Sequence, residues 1–476
     1  MAAKFGTSGL RGLVEEITDG TCDKYVRGYL QHLKNSRLAQ DGSKVYIGYD
    51  LRASSPTICA QTIAAAIKEN FVPVNCADLP TPALALYAMN NGAASIMITG
   101  SHIPADRNGI KFYRPDGEID KNDEQEIQKY AQQIPGTSQD IAVDISGVSN
   151  ERSAATAQFT DRYKALFSNN YFAGKRIGIY EHSSVARDIL KDVFEEFGAT
   201  VVSLARSETF IPVDTEAVSD ETVKNLKAWT NEHQLDAILS TDGDGDRPLL
   251  SDENGNYIKG DILGLIASSY LKASVIATPV SSNSGIQNVQ GVKVYQTRVG
   301  SPYVIAAINE ALAKDVSGLV VGFEANGGFL LASEAQMGDG KITALPTRDC
   351  VLPMLAVLSM SIAQKLPLSK LVESFDMPIT HTGRIQEFPT EISSAFVAEL
   401  TKSVEKRDEF FKPFGAVSDI NVIDGLRVQL DNGDIIHLRP SGNAPEMRCY
   451  VEAESISAAE VLVDKTVSAI KAYNNI

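Results

Sequence analysis

Cysteine is scarce in this chain, and long apolar runs are missing. The 476 residues contain five cysteines, which are odd in number, widely separated and without any Cys-x-x-Cys pair: Cys22, Cys59, Cys76, Cys350 and Cys449. The sequence therefore indicates neither a disulfide framework nor a zinc site, and it fits a reducing compartment.

The longest strongly apolar stretch, residues 351–363, is too short to span a bilayer and contains a proline. The first residues, MAAKFGTSGLRG, lack the apolar segment that is typical of a signal peptide. We therefore expect a cytoplasmic protein with no membrane partner.

Positive charge is in deficit, since the formal net charge is −16. This balance argues against a nucleic-acid partner, because neutralising a phosphate backbone requires clustered Lys and Arg. A small anionic ligand is still allowed, because it needs only a local basic pocket. The hydrophobic content of 43% is that of an ordinary globular protein.

The length predicts several domains, because single cores stop growing at roughly 250–300 residues. Short apolar strands alternate with helical patterns, which indicates parallel or mixed α/β sheets. The pattern starts three times, with strands predicted at 45–49, 176–180 and 274–278. Each leads into a polar turn with paired serines that we expect to cap a helix: Ser54-Ser55, Ser183-Ser184 and Ser281-Ser282. Three copies of one α/β unit are therefore expected.

The end of the chain differs. Predicted strands Val422–Leu430 and Ile435–Leu438 flank Asp431-Asn432-Gly433, a strong hairpin signal. A further strand at Met447–Ala453 and a helix at Ser457–Tyr473 complete a C-terminal α+β domain.

The clearest chemical motif is Asp242-Gly243-Asp244-Gly245-Asp246-Arg247, which follows a predicted strand. Three carboxylates at alternate positions can converge on one hard cation such as Mg²⁺, whose ligands are oxygens. The arrangement fails as an EF-hand because position six is Arg247 and a strand precedes it. A solvated acidic turn is the alternative, but three carboxylates this close repel each other unless a cation lies among them.

Three glycine-containing loops offer groups for anions or hydroxyls. Arg439-Pro440-Ser441-Gly442-Asn443-Ala444-Pro445 combines an arginine fork with hydroxyl, amide and backbone donors for phosphate. Gly322-Phe323-Glu324-Ala325-Asn326-Gly327-Gly328 pairs a carboxylate with an amide and suits sugar hydroxyls, and Phe5–Gly12 contains hydroxyls and Arg11. An ordinary polar turn, a tight turn with a helix cap and a mobile terminus are the respective alternatives.

Ser101 stands in Thr99-Gly100-Ser101-His102-Ile103-Pro104, which is not a lipase-type elbow because that motif needs Gly-x-Ser-x-Gly before a helix. Beside a metal triad and phosphate loops, this serine is interpreted as a phosphate carrier. A phosphoserine would bring about −1.5 to −2 charge, which a cation held by the aspartates would offset. A helix N-cap is the alternative role.

Together these motifs resemble the α-D-phosphohexomutase family, which includes phosphomannomutases and phosphoglucomutases, over the whole chain and in the family's order. FGTSGLRG is similar to its N-terminal motif, TGSHIP…NGIK to its phosphoserine loop and DGDGDR to its metal loop. FEANGG and RPSGNAP…R resemble its sugar and phosphate loops.

The resemblance implies three related α/β mixed-sheet domains and a C-terminal α+β domain around a central active-site cleft. The implied divisions are a phosphoserine domain at 1–150, a metal-binding domain at 151–255, a sugar-recognition domain at 256–368 and a phosphate-binding domain at 369–476.

The resemblance also implies a mutase that interconverts hexose 6-phosphate and hexose 1-phosphate through a hexose 1,6-bisphosphate, which also serves as activator. The implied Mg²⁺ ligands are Ser101, as its phosphate, and Asp242, Asp244 and Asp246. Arg11 would contact the transferring phosphate, and Lys111 and His102 are candidates for moving the hydroxyl proton. The implied substrate-binding residues are Arg247, Glu324, Asn326, Arg439, Ser441, Asn443 and Arg448.

Two loops depart from the family pattern. The sugar loop usually reads Gly-Glu-x-Ser-Gly-His, so Asn326 replaces a serine and Gly328 a histidine. The phosphate loop usually reads Arg-Pro-Ser-Gly-Thr-Glu-Pro, so Asn443 and Ala444 replace threonine and glutamate. The departures bear on which hexose is bound.

Mannose phosphate is the leading substrate, and activity on glucose phosphate is also expected to be possible. Phosphoglucosamine mutase is the alternative within the class. A metal-dependent sugar phosphatase and a non-catalytic sugar-phosphate binder are alternatives from other classes. A monomer or a homodimer is expected.

Overall fold

A computed structural model describes residues 3–6, 9–135, 145–314, 318–441 and 445–474. Over these residues the chain forms four successive units, and each unit is built on its own sheet.

The first unit has a seven-stranded sheet. Its strands are β1 (Lys4–Gly6), β2 (Gly9–Leu13), β3 (Lys44–Tyr49), β4 (Val72–Asp78), β5 (Ala94–Ile98), β6 (Arg107–Arg114) and β7 (Gly117–Glu118). Its helices are α1 (Val14–Glu16), α2 (Cys22–Asn35), α3 (Ser55–Lys68), α4 (Thr81–Asn90) and α5 (Lys121–Gln133), with an irregular helical turn over Ile17–Thr21. Asp120 caps α5 by accepting the N–H groups of Asn122 and Asp123, as short acidic side chains do at helix starts.

The second unit has a five-stranded sheet. Its strands are β8 (Arg176–His182), β9 (Thr200–Arg206), β10 (Ala237–Thr241), β11 (Pro248–Ser251) and β12 (Tyr257–Ile258). Its helices are α6 (Arg152–Lys164), α7 (Arg187–Glu196) and α8 (Asp220–His233).

The third unit has a five-stranded sheet and a separate hairpin. Its strands are β13 (Ala273–Pro279), β14 (Lys293–Thr297), β15 (Leu319–Phe323), β16 (Phe329–Leu331), β17 (Ala335–Met337), β18 (Gly340–Ile342) and β19 (Leu345–Asp349). Its helices are α9 (Gly260–Tyr270), α10 (Ser301–Ala313), α11 (Val351–Gln364) and α12 (Leu368–Glu373), with a 3₁₀ turn over Ser284–Asn288.

These three sheets repeat one strand order. The first unit contains the order β4-β3-β5-β6, the second β9-β8-β10-β11 and the third β14-β13-β15-β16. In each unit the first three strands are parallel and the fourth is antiparallel. The Ser101 turn, the aspartate loop and the FEANGG loop therefore occupy the same position in the three repeats, between the third parallel strand and the antiparallel strand.

The fourth unit is an antiparallel sheet with helices. Its strands are β20 (Ile379–Gln386), β21 (Val417–Asn421), β22 (Leu426–Leu430), β23 (Ile435–Pro440) and β24 (Glu446–Ala453), in the order β20-β24-β23-β22-β21. Its helices are α13 (Thr390–Lys402), α14 (Val404–Phe411) and α15 (Ile456–Asn474). The expected fold class, three related α/β units followed by an α+β unit, is confirmed.

One predicted strand is wrong in its extent. Val422–Leu430 is not continuous, because residues 422–425 turn the chain between β21 and β22. Gly425 has a φ of +80°, and a Cβ there would lie 2.3 Å from the Leu438 carbonyl oxygen, so the backbone at this point requires glycine. The predicted hairpin at 431–433 is confirmed, since β22 pairs antiparallel with β23.

The expectation that the paired serines cap helices is also wrong. Ser54 makes no capping hydrogen bond, and α7 begins only at Arg187. The second serine of each pair instead forms a side-chain hydrogen bond that stabilises its turn. Ser55 donates to Asp50 (2.6 Å), while the Ser184 and Ser282 hydroxyls lie 2.5 and 2.7 Å from the Thr241 and Thr278 hydroxyls.

The apolar interior explains how the units are held. One cluster of buried side chains runs through the first three units, whereas residues 385–470 of the fourth unit form a cluster of their own. The fourth unit meets the third through polar contacts, including Glu452 with Ser284, Asp424 with the Val299 N–H and Asn283 with the Pro378 carbonyl. Among the described residues, no helix has the length and apolarity to cross a membrane.

A buried tyrosine joins the second and third units. The Tyr163 hydroxyl, on α6, lies 2.7 Å from both carboxylate oxygens of Asp349, which also accepts the Val351 and Leu352 N–H groups at the start of α11. We expect Tyr163→Phe to lower the free energy of unfolding by about 1–3 kcal/mol, because it leaves a buried carboxylate short of a donor.

Urea denaturation of Tyr163→Phe checks this expectation. The matched control is Tyr473→Phe, whose hydroxyl donates to Glu399 at an exposed site. Equal unfolding midpoints for the two variants would contradict the role assigned to Tyr163.

Candidate active site

Ser101 is held in a strained turn between β5 and β6. Its side chain is fully buried, and its φ of +57° lies in the left-handed region that non-glycine residues rarely adopt. The Thr99 hydroxyl accepts the Ser101 N–H (2.8 Å) and donates to Asp50 (2.7 Å). The strand β6 follows, so the helix-cap alternative for Ser101 is wrong.

Arg52 clamps this turn from below. Its guanidinium donates to Asp50 (3.1 Å) and to the carbonyl oxygens of four residues of the turn, Ser101, Ile103, Pro104 and Arg107, at 2.7–3.1 Å. The ring of Phe210, from the second unit, stacks on the guanidinium at 3.9 Å. The side chain is fully buried, so the guanidinium holds the backbone of the turn and does not contact solvent.

The aspartate loop, residues 242–247, connects β10 to β11. The Asp242 N–H donates to the Arg247 carbonyl (3.1 Å), which closes the loop, and Gly245 has a φ of +67°. The carboxylates of Asp242, Asp244 and Asp246 are fully buried, and one oxygen of each lies within 4.8 Å of the others. The solvated-turn alternative is therefore wrong.

Side chains from other units approach these carboxylates. Ser101 Oγ donates to Asp242 Oδ2 at 2.5 Å. Lys111 Nζ lies 2.6 Å from Oδ2 of both Asp244 and Asp246. Burial and the two neighbouring carboxylates raise the pKa of Asp242 well above its usual value. Burial also opposes ionisation of Asp244, but Lys111, Thr81 and Arg348 together outweigh it and lower the Asp244 pKa.

The donor set fits a hard divalent cation. The Oδ1 atoms of Asp244 and Asp246 are buried and have no hydrogen-bond partner among the described residues. Unsatisfied buried acceptors are costly, and the ligand atoms that the three aspartates offer are oxygens, which such cations take. The buried triad can therefore hold a metal ion.

His102 and Arg247 contact each other next to Ser101. His102 Nδ1 lies 3.2 Å from Ser101 Oγ and accepts from Arg247 Nη1 at 2.9 Å. Because an arginine donates only, the His102 proton resides on Nε2. Burial and the nearby Arg247 lower the pKa of His102 to about 3, so the ring is neutral at neutral pH.

A cavity of about 630 Å³ is lined by residues of all four units, including His102 and Arg247. Arg11, Arg247 and Arg348 lie close to one another on the cavity lining, and we call this cluster the arginine floor. Ser101, Lys111 and the three aspartates lie behind this floor rather than on the cavity surface. Burial and the proximity of Arg247 lower the pKa of Arg11 to about 10, so the group is still charged at neutral pH. The local basic pocket that the acidic chain requires for an anion is present.

The FEANGG loop contributes one side of the cavity. Glu324 and Asn326 are buried side chains on the cavity surface, and Asn326 Nδ2 lies 3.4 Å from Glu324 Oε2. The loop packs directly on the start of α9, since a Cβ on Gly260 would lie 2.2 Å from the Gly327 nitrogen. Thr215 of the second unit donates to the Asn326 carbonyl at 2.7 Å.

The exposed face of the fourth sheet forms the opposite wall. Arg448 lies directly opposite Arg384 on one neighbouring strand and Arg439 on the other, and all three line the cavity. Like charges directly opposite repel. Glu446 accepts from Arg448 (2.9 Å), and Asp424 accepts from Arg439 (2.9 Å), which offsets the repulsion.

The sequence-based predictions divide into three sets. Ser101, His102, Lys111, Arg247 and the three aspartates form one contact network, to which Arg11 is adjacent. Glu324, Asn326, Arg439, Ser441 and Arg448 lie on the surface of the same cavity. Asn443 falls outside the described residues, as do Thr7 and Ser8 of the N-terminal loop.

Three residues at the site were missed from sequence: Arg52, Thr81 and Arg348. Thr81, at the start of α4, donates to Asp244 Oδ2 at 2.5 Å and its N–H donates to the Asp244 carbonyl. Arg52 stands in a turn that is recognisable from sequence as part of the repeat. Thr81 and Arg348 lie in no loop motif, and only the packing of units brings them to the triad.

We expect Arg52→Lys to increase backbone hydrogen exchange in residues 101–107, because a lysine cannot replace a fork that serves four carbonyl oxygens. Hydrogen–deuterium exchange with peptide resolution measures this directly. Arg187→Lys is the matched control, since Arg187 clamps the His182 and Ser207 carbonyls of the second unit and should affect that segment alone. Unchanged exchange at 101–107 in Arg52→Lys would contradict the clamp.

Comparison with known proteins extends this picture to the whole chain. The phosphomannomutase of Sinorhizobium fredii is 50% identical over 463 residues, which cover 97% of this chain and 98% of the relative. The phosphomannomutase of Salmonella muenchen is 42% identical over 479 residues, with coverage of 98% and 95%. A crystal structure of a family protein from Burkholderia thailandensis has a TM-score of 0.76 at 19% identity, with coverage of 98% and 96%.

Family models match four parts of the chain in order. They are described as the α/β/α domains I, II and III and the C-terminal domain of phosphoglucomutase/phosphomannomutase, and they cover residues 2–137, 157–255, 259–377 and 394–469. The resemblance found in the motifs is confirmed: the chain belongs to the phosphoglucomutase/phosphomannomutase family.

Proposed function

We propose that this phosphohexomutase interconverts mannose 6-phosphate and mannose 1-phosphate, and that it also accepts glucose phosphates. The observation that carries the proposal is the contact of Ser101 Oγ with a buried three-carboxylate site directly behind an arginine-lined cavity. The choice of mannose is supported by the two phosphomannomutases that are similar over almost the whole chain.

In the proposed reaction, a phosphoryl group carried on Ser101 passes to a free hydroxyl of the bound hexose phosphate. The bond between phosphorus and Ser101 Oγ breaks, a bond from phosphorus to the sugar oxygen forms, and the hydroxyl proton ends on Ser101 Oγ. The hexose 1,6-bisphosphate then turns over within the cavity without leaving and returns its other phosphate to Ser101 by the reverse step. The same bisphosphate is the proposed activator, because it phosphorylates an unmodified Ser101.

Positioning and charge compensation dominate such transfers. Arg52 and the strained turn fix Ser101, while Arg11 and Arg247 present N–H donors towards the transferring group. Glu324 and Asn326 are proposed to bind sugar hydroxyls. Arg439, Ser441, Asn443 and Arg448 are proposed to bind the phosphate at the other end of the sugar.

His102 and Lys111 are the proposed carriers of the hydroxyl proton. His102 contacts Ser101, and Lys111 contacts two of the carboxylates around it. A loose transition state makes a small demand on the base, which agrees with a neutral His102 and an ion-paired Lys111.

We propose Mg²⁺ as the cation held by Asp242, Asp244, Asp246 and the phosphorylated Ser101. When bound, it would supply the positive charge that stabilises the transferring phosphoryl oxygens. The five cysteines are free and buried thiols, which supports the proposal of a cytoplasmic enzyme. The divisions at 150, 255 and 368 likewise remain proposed domain boundaries.

A coupled mutase assay tests the substrate. With Mg²⁺ and a bisphosphate activator, we expect turnover of mannose 1-phosphate, lower turnover of glucose 1-phosphate and little of glucosamine 1-phosphate. Ser101→Ala should abolish turnover because no phosphoryl carrier remains, whereas Ser393→Ala, a buried serine in α13, should leave it intact.

Turnover of glucosamine 1-phosphate alone would replace the proposal with phosphoglucosamine mutase activity. Release of inorganic phosphate without sugar interconversion would identify a phosphatase. Persistent mutase activity in Ser101→Ala would refute the phosphoserine mechanism.

Calorimetric titration of metal-free protein with Mg²⁺ tests the cation site independently of turnover. We expect Asp246→Asn to weaken Mg²⁺ binding by more than about tenfold, because it removes one charged ligand of three. Asp252→Asn is the control, since Asp252 is buried beyond the opposite end of β11 from the aspartate loop and accepts only N–H groups of its own turn. Equal Mg²⁺ affinities in both variants would exclude the aspartate triad as the site.

A further inference from the structure

Arg348 is a buried cation that no motif identifies. It lies near the end of β19, its side chain is 1% exposed, and it forms part of the arginine floor with Arg11 and Arg247. The position is central, because it is the place where the third unit reaches the aspartate loop of the second.

Its guanidinium connects two loops of the site. Nη2 lies 2.8 Å from Asp246 Oδ2, and Nη1 donates to Glu324 Oε2 at 3.5 Å. Burial opposes the charge, but Asp246, Glu118 and Glu324 raise the Arg348 pKa well above its usual value. Arg348 is therefore a permanent cation between the metal loop and the sugar loop.

Part of this guanidinium has no acceptor. Arg348 Nε is buried and has no hydrogen-bond partner within the described part of the chain, and the same holds for Arg247 Nε on the same floor. Two buried N–H donors without a hydrogen-bond acceptor, in side chains that line one cavity, are costly unless an acceptor reaches them. A phosphoryl group has three strong acceptor oxygens and the opposite charge.

Gly328 leaves the space that Arg348 fills. A Cβ at Gly328 would lie 2.5 Å from Arg348 Cδ and 2.9 Å from Cγ, closer than real contacts allow. Gly328 is not among the glycines with positive φ, so its backbone conformation does not require glycine. The absent side chain is explained by the stem of Arg348.

We propose that Arg348 is a substrate-contacting residue whose Nε–H binds the phosphoryl group presented to Ser101, and that Gly328 is constrained to glycine by the Arg348 stem. This inference rests on the proposed mutase function. It assigns a role to Arg348, the third member of the arginine floor. It also gives a reason why the FEANGG loop has Gly328 where the family pattern has a histidine.

Kinetics of four variants and one control variant test the contact of Arg348 with substrate and the packing of Gly328 against Arg348. We expect Arg348→Ala to lower kcat/KM for mannose 1-phosphate by about 100-fold or more, as removal of one preorganised donor does. Arg348→Lys should recover only part of this loss, because lysine keeps the charge but not the fork. Gly328→Ala should lower kcat/KM about tenfold or more by displacing Arg348, and Gly328→Ala with Arg348→Ala should be no worse than Arg348→Ala alone.

Arg407→Lys is the matched control. Arg407 is also buried with an unpartnered Nε, but it lies in α14, away from the cavity lining, and its substitution should leave kcat/KM unchanged. A Gly328→Ala and Arg348→Ala double variant whose loss equals the product of the single losses would overturn the pairing.

Binding separates a substrate contact from a structural clamp on Asp246. In a Ser101→Ala background, which prevents turnover, we expect Arg348→Ala to weaken calorimetric binding of mannose 1-phosphate by about ten- to hundredfold. Affinity for Mg²⁺ should hold or rise, since a cation competing for Asp246 is removed. Loss of Mg²⁺ affinity with unchanged mannose 1-phosphate affinity would overturn the proposal in favour of a clamp.

The two proposals fail in different ways. Absence of mannose 1-phosphate turnover in the wild type would contradict the proposed function. Normal turnover in both the wild type and Arg348→Ala would leave that function standing and refute the role of Arg348.

Discussion

Mutual repulsion among three buried carboxylates is the constraint on which the arrangement of the first three units depends. Asp242, Asp244 and Asp246 are buried together on one short loop, and desolvation strengthens their repulsion. Arg247 of the loop itself offsets part of it, and the other groups come from outside that loop. Ser101, Thr81 and Lys111 come from the first unit and Arg348 from the third. Charge compensation therefore acts across unit boundaries and holds the site-forming loops against one another.

The repeat places those loops where compensation is possible. In each of the first three units the site loop follows the third parallel strand, at the carboxyl edge of the sheet, where α/β proteins bind their ligands. The turns that follow β3 and β8 hold these loops in place through side-chain hydrogen bonds. Asp50 accepts from Thr99 in the first unit, and Ser184 contacts Thr241 in the second. The fourth unit follows other rules, since its polar sheet face, rather than a loop after a parallel strand, supplies Arg439, Arg448 and Arg384 to the cavity.

Much of this could be predicted from sequence, for a physical reason in each case. Buried parallel strands are near-continuous apolar runs, so β3, β8 and β13 were recognisable, and the aspartate loop was recognisable because its carboxylates are close together in sequence. The strand predicted at 422–430 was wrong because its apolar residues continue through a turn that Gly425 makes possible. Thr81 and Arg348 could not be found in this way. Each acts on the triad only after separate units have packed, and neither stands in a sequence context that marks it.

The equivalent positions of the three loops have a consequence for how such a site can arise. One repeat provides one loop, and the serine and the aspartates that it contacts belong to different repeats. A single copy of the unit would hold either the hydroxyl or the carboxylates, and so could not carry out the proposed transfer. A site of this kind therefore requires several copies of the unit in one chain, with different side chains on the equivalent loops: a serine on the first, three aspartates on the second, and a carboxylate and an amide on the third. In this sense the candidate active site is a property of the tandem array rather than of any domain within it.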